Sequence, residues 1–225
     1  MIELRDVEHR FGDRVVLEPL SLVLAEHRIG VIGANGSGKS TFARLLNGLV
    51  VPTSGSVEVD GLDTRRHGRL VRRKVGFVFT DPDAQIVMPT VAEDLAVGLR
   101  SSGLPRAEVA ERVGETLRRF GLLQYADQPA HLLSGGEKQL LALAGVLITE
   151  PETVVCDEPT TLLDLRNARM IADLLKSLRQ RVILVTHHLD LLAGFERVLV
   201  FDHGRLVVDG PADVSVPAYR GLVDS

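Results

Sequence analysis

Gly33-Ala34-Asn35-Gly36-Ser37-Gly38-Lys39-Ser40 is the stretch whose reading decides the fold. It satisfies the pattern G-x-x-x-x-G-K-[ST] without a gap. The apolar run Ile29–Ile32 precedes it, and Phe42-Ala43-Arg44-Leu45-Leu46, which reads as a helix, follows it. A strand, a glycine-rich turn and a helix form the context in which this pattern holds phosphate. Glycines let the backbone wrap closely around a polyphosphate with its N–H groups pointing inward. The N-terminal end of a helix beginning near Lys39 adds positive potential. Lys39 places a cation on the β- and γ-phosphates, and Ser40 offers a hydroxyl to Mg²⁺. The candidate nucleotide-binding residues are therefore Gly33, Ala34, Asn35, Gly36, Ser37, Gly38, Lys39, Ser40 and Thr41.

Thr153-Val154-Val155-Cys156-Asp157-Glu158 is the second signal. An apolar strand delivers two carboxylates at its C-terminal end, where open α/β sheets bind ligands. Asp157 would hold Mg²⁺ through its water shell. Glu158 would orient and deprotonate an attacking water. Two acids at a strand end also suit a solvated terminus; the phosphate loop upstream favours the catalytic reading. A switch GTPase would need a base-reading N-K-x-D. The four lysines follow Gly38, Arg73, Glu137 and Leu175, never Asn, so that class is excluded.

The wider sequence is that of an ordinary globular chain. It has 225 residues, 45% hydrophobic and 25% charged, which excludes a disordered tail or a collagen-like repeat. Its net charge of −4 gives no nucleic-acid footprint. Of the 26 basic residues only 4 are Lys. The single cysteine, Cys156, reads as a packing residue and fits a reducing compartment. No basic segment followed by an apolar stretch opens the chain, so no signal peptide is expected. The longest apolar-and-Gly run, Leu140 to Ile148, is far short of the roughly 20 residues that span a bilayer.

Short apolar runs alternate with helical patterns, as in an α/β protein. Strands are expected over the first 25 residues, with a turn at Gly12-Asp13, and at Val57–Val59, Val75–Phe79, Thr153–Cys156 and Val182–Val185. A hairpin is expected where Val198–Phe201 and Arg205–Val208 flank Asp202-His203-Gly204. Helical patterns run from Val91 to about Phe120, broken at Gly103-Leu104-Pro105, then over Glu137–Thr149 and Asp164–Leu178. The expected architecture is one domain over residues 1–225. It would have a mixed or parallel sheet core, an antiparallel N-terminal β-subdomain and a helical subdomain at roughly residues 85–150.

Leu133-Ser134-Gly135-Gly136-Glu137-Lys138-Gln139 resembles the signature of the ATP-binding cassette (ABC) ATPases. In physical terms it is a Ser-Gly-Gly turn opening a helix, either an anion site or a simple capping box of Ser134 with Glu137. Other family elements follow in order. Glu158-Pro159-Thr160-Thr161-Leu162-Leu163-Asp164 resembles the D-loop, and Val185-Thr186-His187-His188-Leu189 the switch-histidine motif. Phe11 resembles the aromatic that stacks on adenine, with Val16 near the same base. From the residues alone, Phe11 and His187 could also be core side chains, the less favoured reading for both. The resemblance covers about residues 2 to 210. It implies an ATPase with Glu158 and His187 as catalytic residues and Mg²⁺-ATP as its substrate. Ser134, Gly135, Gly136 and Glu137 would face the nucleotide of a partner chain.

Phe79-Thr80-Asp81-Pro82-Asp83-Ala84-Gln85-Ile86-Val87 is similar to the F-Q-N-P-D-D-Q-I-F stretch of the energy-coupling-factor (ECF) branch, with Thr80 in the first Gln position. The resemblance makes Thr80 a shortened substitute for a metal-shell Gln, and Gln85 a coupling residue that begins a short helix near a membrane partner. Pro89-Thr90-Val91-Ala92-Glu93-Asp94 and the doubled His fit the same branch. Within it the F-T-D-P-D-A-Q variant is most similar to the biotin-uptake ATPases; cobalt, nickel and other vitamin importers are the alternatives, and outside the branch a soluble non-transport cassette ATPase. The implied partners are a second ATPase subunit, in a homodimer or as a sister ATPase, a transmembrane coupling protein and a substrate-binding membrane protein. The implied place is peripheral, on the cytoplasmic face of the cell membrane.

Overall fold

In the computed structural model, which describes residues 1–223, the chain runs through β1 (Ile2–Phe11), β2 (Arg14–Leu24), β3 (Arg28–Gly33), α1 (Lys39–Leu46), β4 (Ser54–Val59), β5 (Leu62–Asp63), α2 (Thr64–Lys74) and β6 (Val75–Val78). It continues through α3 (Val91–Gly98), α4 (Arg106–Arg119), α5 (Gly135–Leu147), β7 (Thr153–Asp157), α6 (Leu165–Ser177), β8 (Arg181–Val185), β9 (Arg197–Asp202), β10 (Arg205–Gly210) and α7 (Ala212–Val223). Two compact units emerge. The first holds Met1–Phe77, Glu152–Glu158 and the chain from Leu178 onward; the second holds Val78–Pro151 and Pro159–Ser177.

Two sheets build the first unit. One is antiparallel, in the order β2-β1-β4-β5; its first hairpin closes at Gly12-Asp13 with Phe11 opposite Arg14. The other has the order β10-β9-β3-β8-β7-β6, with β3 parallel to both β8 and β9, β7 parallel to β8, and β10 antiparallel to β9. All five residues of β7 are buried, as expected for a strand covered on both faces. Edge strand β10 instead alternates exposed and half-buried residues. Helix α1 buries Phe42, Ala43, Leu45 and Leu46, and the Phe42 ring lies 4.9 Å from that of Phe201. Burying one such aromatic contributes roughly 1.5–3 kcal/mol, which holds α1 against β9, the neighbour of the strand that feeds it.

The second unit is mostly helical. Thr90 caps α3 through a capping box with Glu93. Helix α5 buries side chains around most of its circumference, from Gln139 to Leu147. Together α3 and α4 leave an apolar hollow of about 720 Å³, lined by Ala96, Leu99, Val109, Val113 and Leu117 among others.

The sequence pattern misplaces several details. The strand expected over Val75–Phe79 ends at Val78, and the helix expected from Glu137 begins at Gly135, just after its Ser134 cap. Helices α2 and α7 are absent from the expectation altogether. Helix α2 buries only Thr64 and Val71 among basic residues, so it has almost no apolar period. Helix α7 contains Pro217 and Gly221, residues that read as breakers.

Candidate active site

Strand β3 ends at Gly33 and α1 begins at Lys39, so the phosphate loop is the turn between them. Gly38 caps α1 at φ +98°. A Cβ there would lie 2.7 Å from Val16 O and 2.8 Å from Leu17 Cδ2, so conformation and space both demand glycine. Lys39 is buried, and its Nζ donates to Gly33 O and Ala34 O, both at 2.8 Å. Burial draws the Lys39 pKa down, while Glu158 and Asp157 pull it back up. The Ser37 hydroxyl is buried with no hydrogen-bond partner among the described residues. A buried polar atom left unmatched costs free energy unless something completes it. A polyphosphate laid in this loop would supply acceptors for both Ser37 and Lys39.

Ser40 Oγ donates to Asp157 Oδ1 at 2.9 Å, across 117 residues of sequence. Asp157 is almost wholly buried, which raises its pKa; the Ser40 hydrogen bond and the Arg44 guanidinium, 3.6 Å away, work in the opposite direction. A hydroxyl and a carboxylate side by side are the hard oxygen donors that suit Mg²⁺. Among the described residues no cluster of three His, Cys, Asp or Glu side chains could hold a metal alone. Mg²⁺ does not need one, because it takes most of its ligands from water and phosphate. The pair therefore fits that ion. Cys156, one residue before Asp157, is fully buried, and burial pushes its thiol pKa well up, in keeping with a packing role.

Glu158 sits just past the end of β7 in a left-handed conformation, φ +54°, that costs free energy for a non-glycine residue. Its N–H donates to Val185 O at 3.0 Å, and its Oε2 lies 2.6 Å from His187 Nδ1. A carboxylate only accepts, so Nδ1 carries the proton and donates it. The His187 side chain is 46% exposed, which removes the core-histidine alternative. The His188 ring packs against it at 4.0 Å.

Phe11 is 58% exposed and so is not a core residue. With Val16, Gly38, Lys39 and Glu158 it lines one cleft of about 330 Å³. Its ring stands edge-on to buried His9, with centroids 4.6 Å apart. Arg14, which the sequence reading missed, lines the same cleft. The one available signal was its place opposite Phe11 in the β1–β2 hairpin.

The signature residues lie in the second unit, where the capping-box reading is the one the geometry shows. Ser134 caps α5 in a complete capping box: Glu137 N donates to Ser134 Oγ at 3.4 Å, and Ser134 N donates to Glu137 Oε2 at 2.8 Å. Hydrogen bonds from Ser134 and then Tyr125 hold the Glu137 carboxyl below its ordinary pKa. A Cβ on Gly136 would lie 2.6 Å from the Asn167 amide carbon, so Asn167, also missed in the sequence, sets the space under the signature. Asp164 accepts from Asn167 N at 2.8 Å and Asn167 Nδ2 at 3.0 Å, so its carboxylate caps α6. Thr80 is half-buried in this unit.

Gln85 corrects one expectation. It closes the short 3-10 turn Pro82–Ala84 and does not begin a helix. Its side chain points inward: Oε1 accepts from Phe79 N at 3.2 Å, and Nε2 donates to Ala142 O at 2.7 Å. The amide thus ties this loop to α5.

A family model described as ABC transporter matches residues 17–161, well over half of the chain. This chain belongs to the ABC transporter ATPase family. As an ABC ATPase it couples ATP hydrolysis to transport. One relative, an ABC transporter ATP-binding protein of Deinococcus radiodurans, is 60% identical over 98% of this chain and 97% of its own. The biotin transport ATP-binding protein BioM of Rhizobium etli is 51% identical over 94% of each chain. The cobalt import ATP-binding protein CbiO of Syntrophus aciditrophicus is 41% identical over 95% of this chain and 79% of its own. Among solved structures, cbiO1 from Clostridium perfringens, part of the ABC transporter complex cbiONQ, superposes with a TM-score of 0.84 at 30% identity, covering 99% of this chain and 92% of that one. The dimeric cassette MJ0796 bound to ADP and Pi gives 0.82 at 27% identity, covering 94% and 99%. Among the described residues of this ABC ATPase, no helix is long and apolar enough to cross a membrane.

Proposed function

We propose that this ABC ATPase is a single cassette that powers an ECF-type importer from the cytoplasmic face of the membrane, that it works as a homodimer, and that its cargo is a vitamin, biotin in the first place. The observation that carries the hydrolytic part is the cleft lined by Phe11, Lys39, Ser40 and Glu158, with Asp157 bonded to Ser40 and His187 to Glu158. The identity to BioM of Rhizobium etli, 51% against 41% for the cobalt importer, favours biotin over cobalt. Nickel and other vitamins are the remaining alternatives.

The phosphate loop would bind the triphosphate through its N–H groups, with Lys39 as the side-chain cation and Phe11 stacked on the base beside Val16. Ser40 and Asp157 would hold Mg²⁺, which neutralises charge on the phosphates when bound. Glu158 accepts the proton of the attacking water, and His187 Nδ1–H fixes its carboxylate. Such a base contributes roughly 10²–10⁴-fold. Ser134, Gly135, Gly136 and Glu137 would complete the site of the second copy, with Asp164 on the adjoining loop. Each chain therefore holds half of each site, and an isolated monomer is expected to be nearly inactive. ATP closes the pair and hydrolysis reopens it. The loop bearing Thr80 and Gln85 would pass that change to a transmembrane coupling protein and its substrate-binding partner.

The test is to co-purify the tagged chain with its membrane partners, reconstitute the complex in vesicles, and follow ATP-driven uptake of labelled biotin and of Co²⁺. Biotin uptake that needs ATP and fails with Glu158→Gln is the expected result. Uptake of Co²⁺ alone would move the cargo to the alternative. Recovery of the chain without any membrane protein would overturn the importer reading.

A further inference from the structure

Helix α2 carries Arg65, Arg66, His67, Arg69, Arg72, Arg73 and Lys74 within 11 residues, in a chain whose net charge is −4. The residues the fold needs are few. Thr64 and Val71 are buried, and Asp63 caps the first turn by accepting from Arg65 N and Arg66 N. Arg65 NH2 donates to Pro52 O and Arg72 NH1 donates to Gly48 O, which clip the helix to the loop following α1. Lys74 bridges Asp60 and Glu152.

Arg66, Arg69 and Arg73 are exposed, and among the described residues no carboxylate or carbonyl engages their guanidinium groups. Cations in the last turn complement the helix dipole, which accounts for Arg73. That reason does not extend to Arg66, in the first turn where positive charge opposes the dipole, or to Arg69 at the middle of the helix. A kink at His67 (φ −120°, ψ 26°) separates Arg66 from the regular turns that carry Arg69 and Arg73 at i, i+4. Beside them stand exposed apolar side chains: Leu70 on the helix, and Leu49 and Val51 on the loop to which the helix is clipped. Mutual repulsion of cations on one surface is unfavourable unless an anionic partner compensates it.

We propose that α2 and the adjoining 48–52 loop form a docking surface for the anionic phospholipid headgroups of the bilayer, holding the first unit against the membrane. The inference rests on the membrane-peripheral reading above. Charge complementarity selects an anionic surface. An open row of exposed arginines suits a layer of mobile phosphates better than a single small ligand. The flanking Leu49, Val51 and Leu70 add the apolar component typical of interfacial segments. No Phe, Tyr or Trp lies between Gly48 and Lys74 to stack on bases, which argues against nucleic acid.

The experiment is flotation of the purified chain with vesicles of phosphatidylcholine alone or with about one quarter phosphatidylglycerol. Nucleotide binding is measured on the same samples. Binding to the anionic vesicles only, reversed by about 0.5 M salt, is expected. Arg66→Gln/Arg69→Gln/Arg73→Gln should lower partitioning by about fivefold per arginine, on the order of 100-fold together. The charge-matched control Arg118→Gln/Arg119→Gln/Arg220→Gln, on exposed positions of α4 and α7, should lower it far less. Equal losses in both triple variants would leave only net charge and overturn the surface. Tighter binding to a DNA duplex, or binding that needs the coupling protein whatever the lipid charge, would overturn it too. A wild-type chain that binds ATP but ignores anionic vesicles refutes this surface and leaves the ATPase reading intact. Loss of ATP binding by the wild-type chain would instead strike at the cassette itself.

Discussion

Replacing Glu158 by Gln separates nucleotide binding from hydrolysis, because the side chain keeps its shape and loses its ability to take a proton. In the folded chain Glu158 Oε2 accepts from His187 Nδ1 at 2.6 Å, a short charge-assisted bond on a side chain that is only 14% exposed. Gln can still accept there through its carbonyl, so the loop and the left-handed turn at residue 158 should persist. What disappears is general-base assistance, roughly 10²–10⁴-fold, or about 3–5 kcal/mol of barrier at 1.36 kcal/mol per tenfold. His187→Ala leaves the base but frees its carboxylate; losing a bond to a charged group costs about 1.5–3 kcal/mol, a fall in turnover on the order of 10- to 100-fold. The assay pairs single-turnover hydrolysis with equilibrium nucleotide binding, and gel filtration reads whether ATP traps a closed dimer. We expect ATP affinity within a few-fold of wild type for both variants, and a stable ATP-bound dimer for Glu158→Gln. Wild-type turnover in Glu158→Gln would show that another group activates the water. A larger loss in His187→Ala than in Glu158→Gln would mean that His187 acts directly and not through Glu158.

Three more outcomes follow from the same geometry. Lys39→Ala removes the buried side-chain cation of the phosphate loop and should weaken ATP binding at least about tenfold by calorimetry, since each charge-assisted bond is worth roughly 1.5–3 kcal/mol; unchanged affinity would contradict the loop's role. Gln85→Ala breaks bonds to Phe79 N and Ala142 O, so it should lower thermal stability by about 1–3 kcal/mol while leaving ATP affinity near normal, and an unaltered melting curve would refute the inward placement. Glu137, whose folded pKa is held below its ordinary 4.5, contributes stability that is present above that value and lost as pH falls through the lowered one. The stability gap between wild type and Glu137→Gln should therefore be full near pH 6 and shrink below about pH 4.5; a gap constant with pH would remove the ionic part of the capping box.

What the sequence determined by itself is the chemistry that contiguous residues carry. The phosphate loop is legible because its geometry is that of one strand–turn–helix segment, and the glycine at 38 is demanded by local backbone conformation as well as by its neighbours. The Ser134–Glu137 capping box spans three residues and is legible for the same reason. Tertiary structure alone decided what joins distant segments. Glu158 meets His187 because β7 and β8 pair in parallel with Asp157 opposite Val185, a register no local pattern records. Ser40 meets Asp157 because β3 and β7 both flank β8. Arg14 reaches the nucleotide cleft by way of a hairpin, and Asn167 fills the space under Gly136 from a position 31 residues further along the chain. Gln85 was read for its position in a motif, yet its side chain is engaged by Phe79 and Ala142, partners chosen by packing. Helices α2 and α7 stayed hidden because each buries too few residues to show a period. Hydrophobic periodicity reports only the faces that a fold covers, so elements held by capping, clips and neighbouring segments become visible only once the chain is assembled.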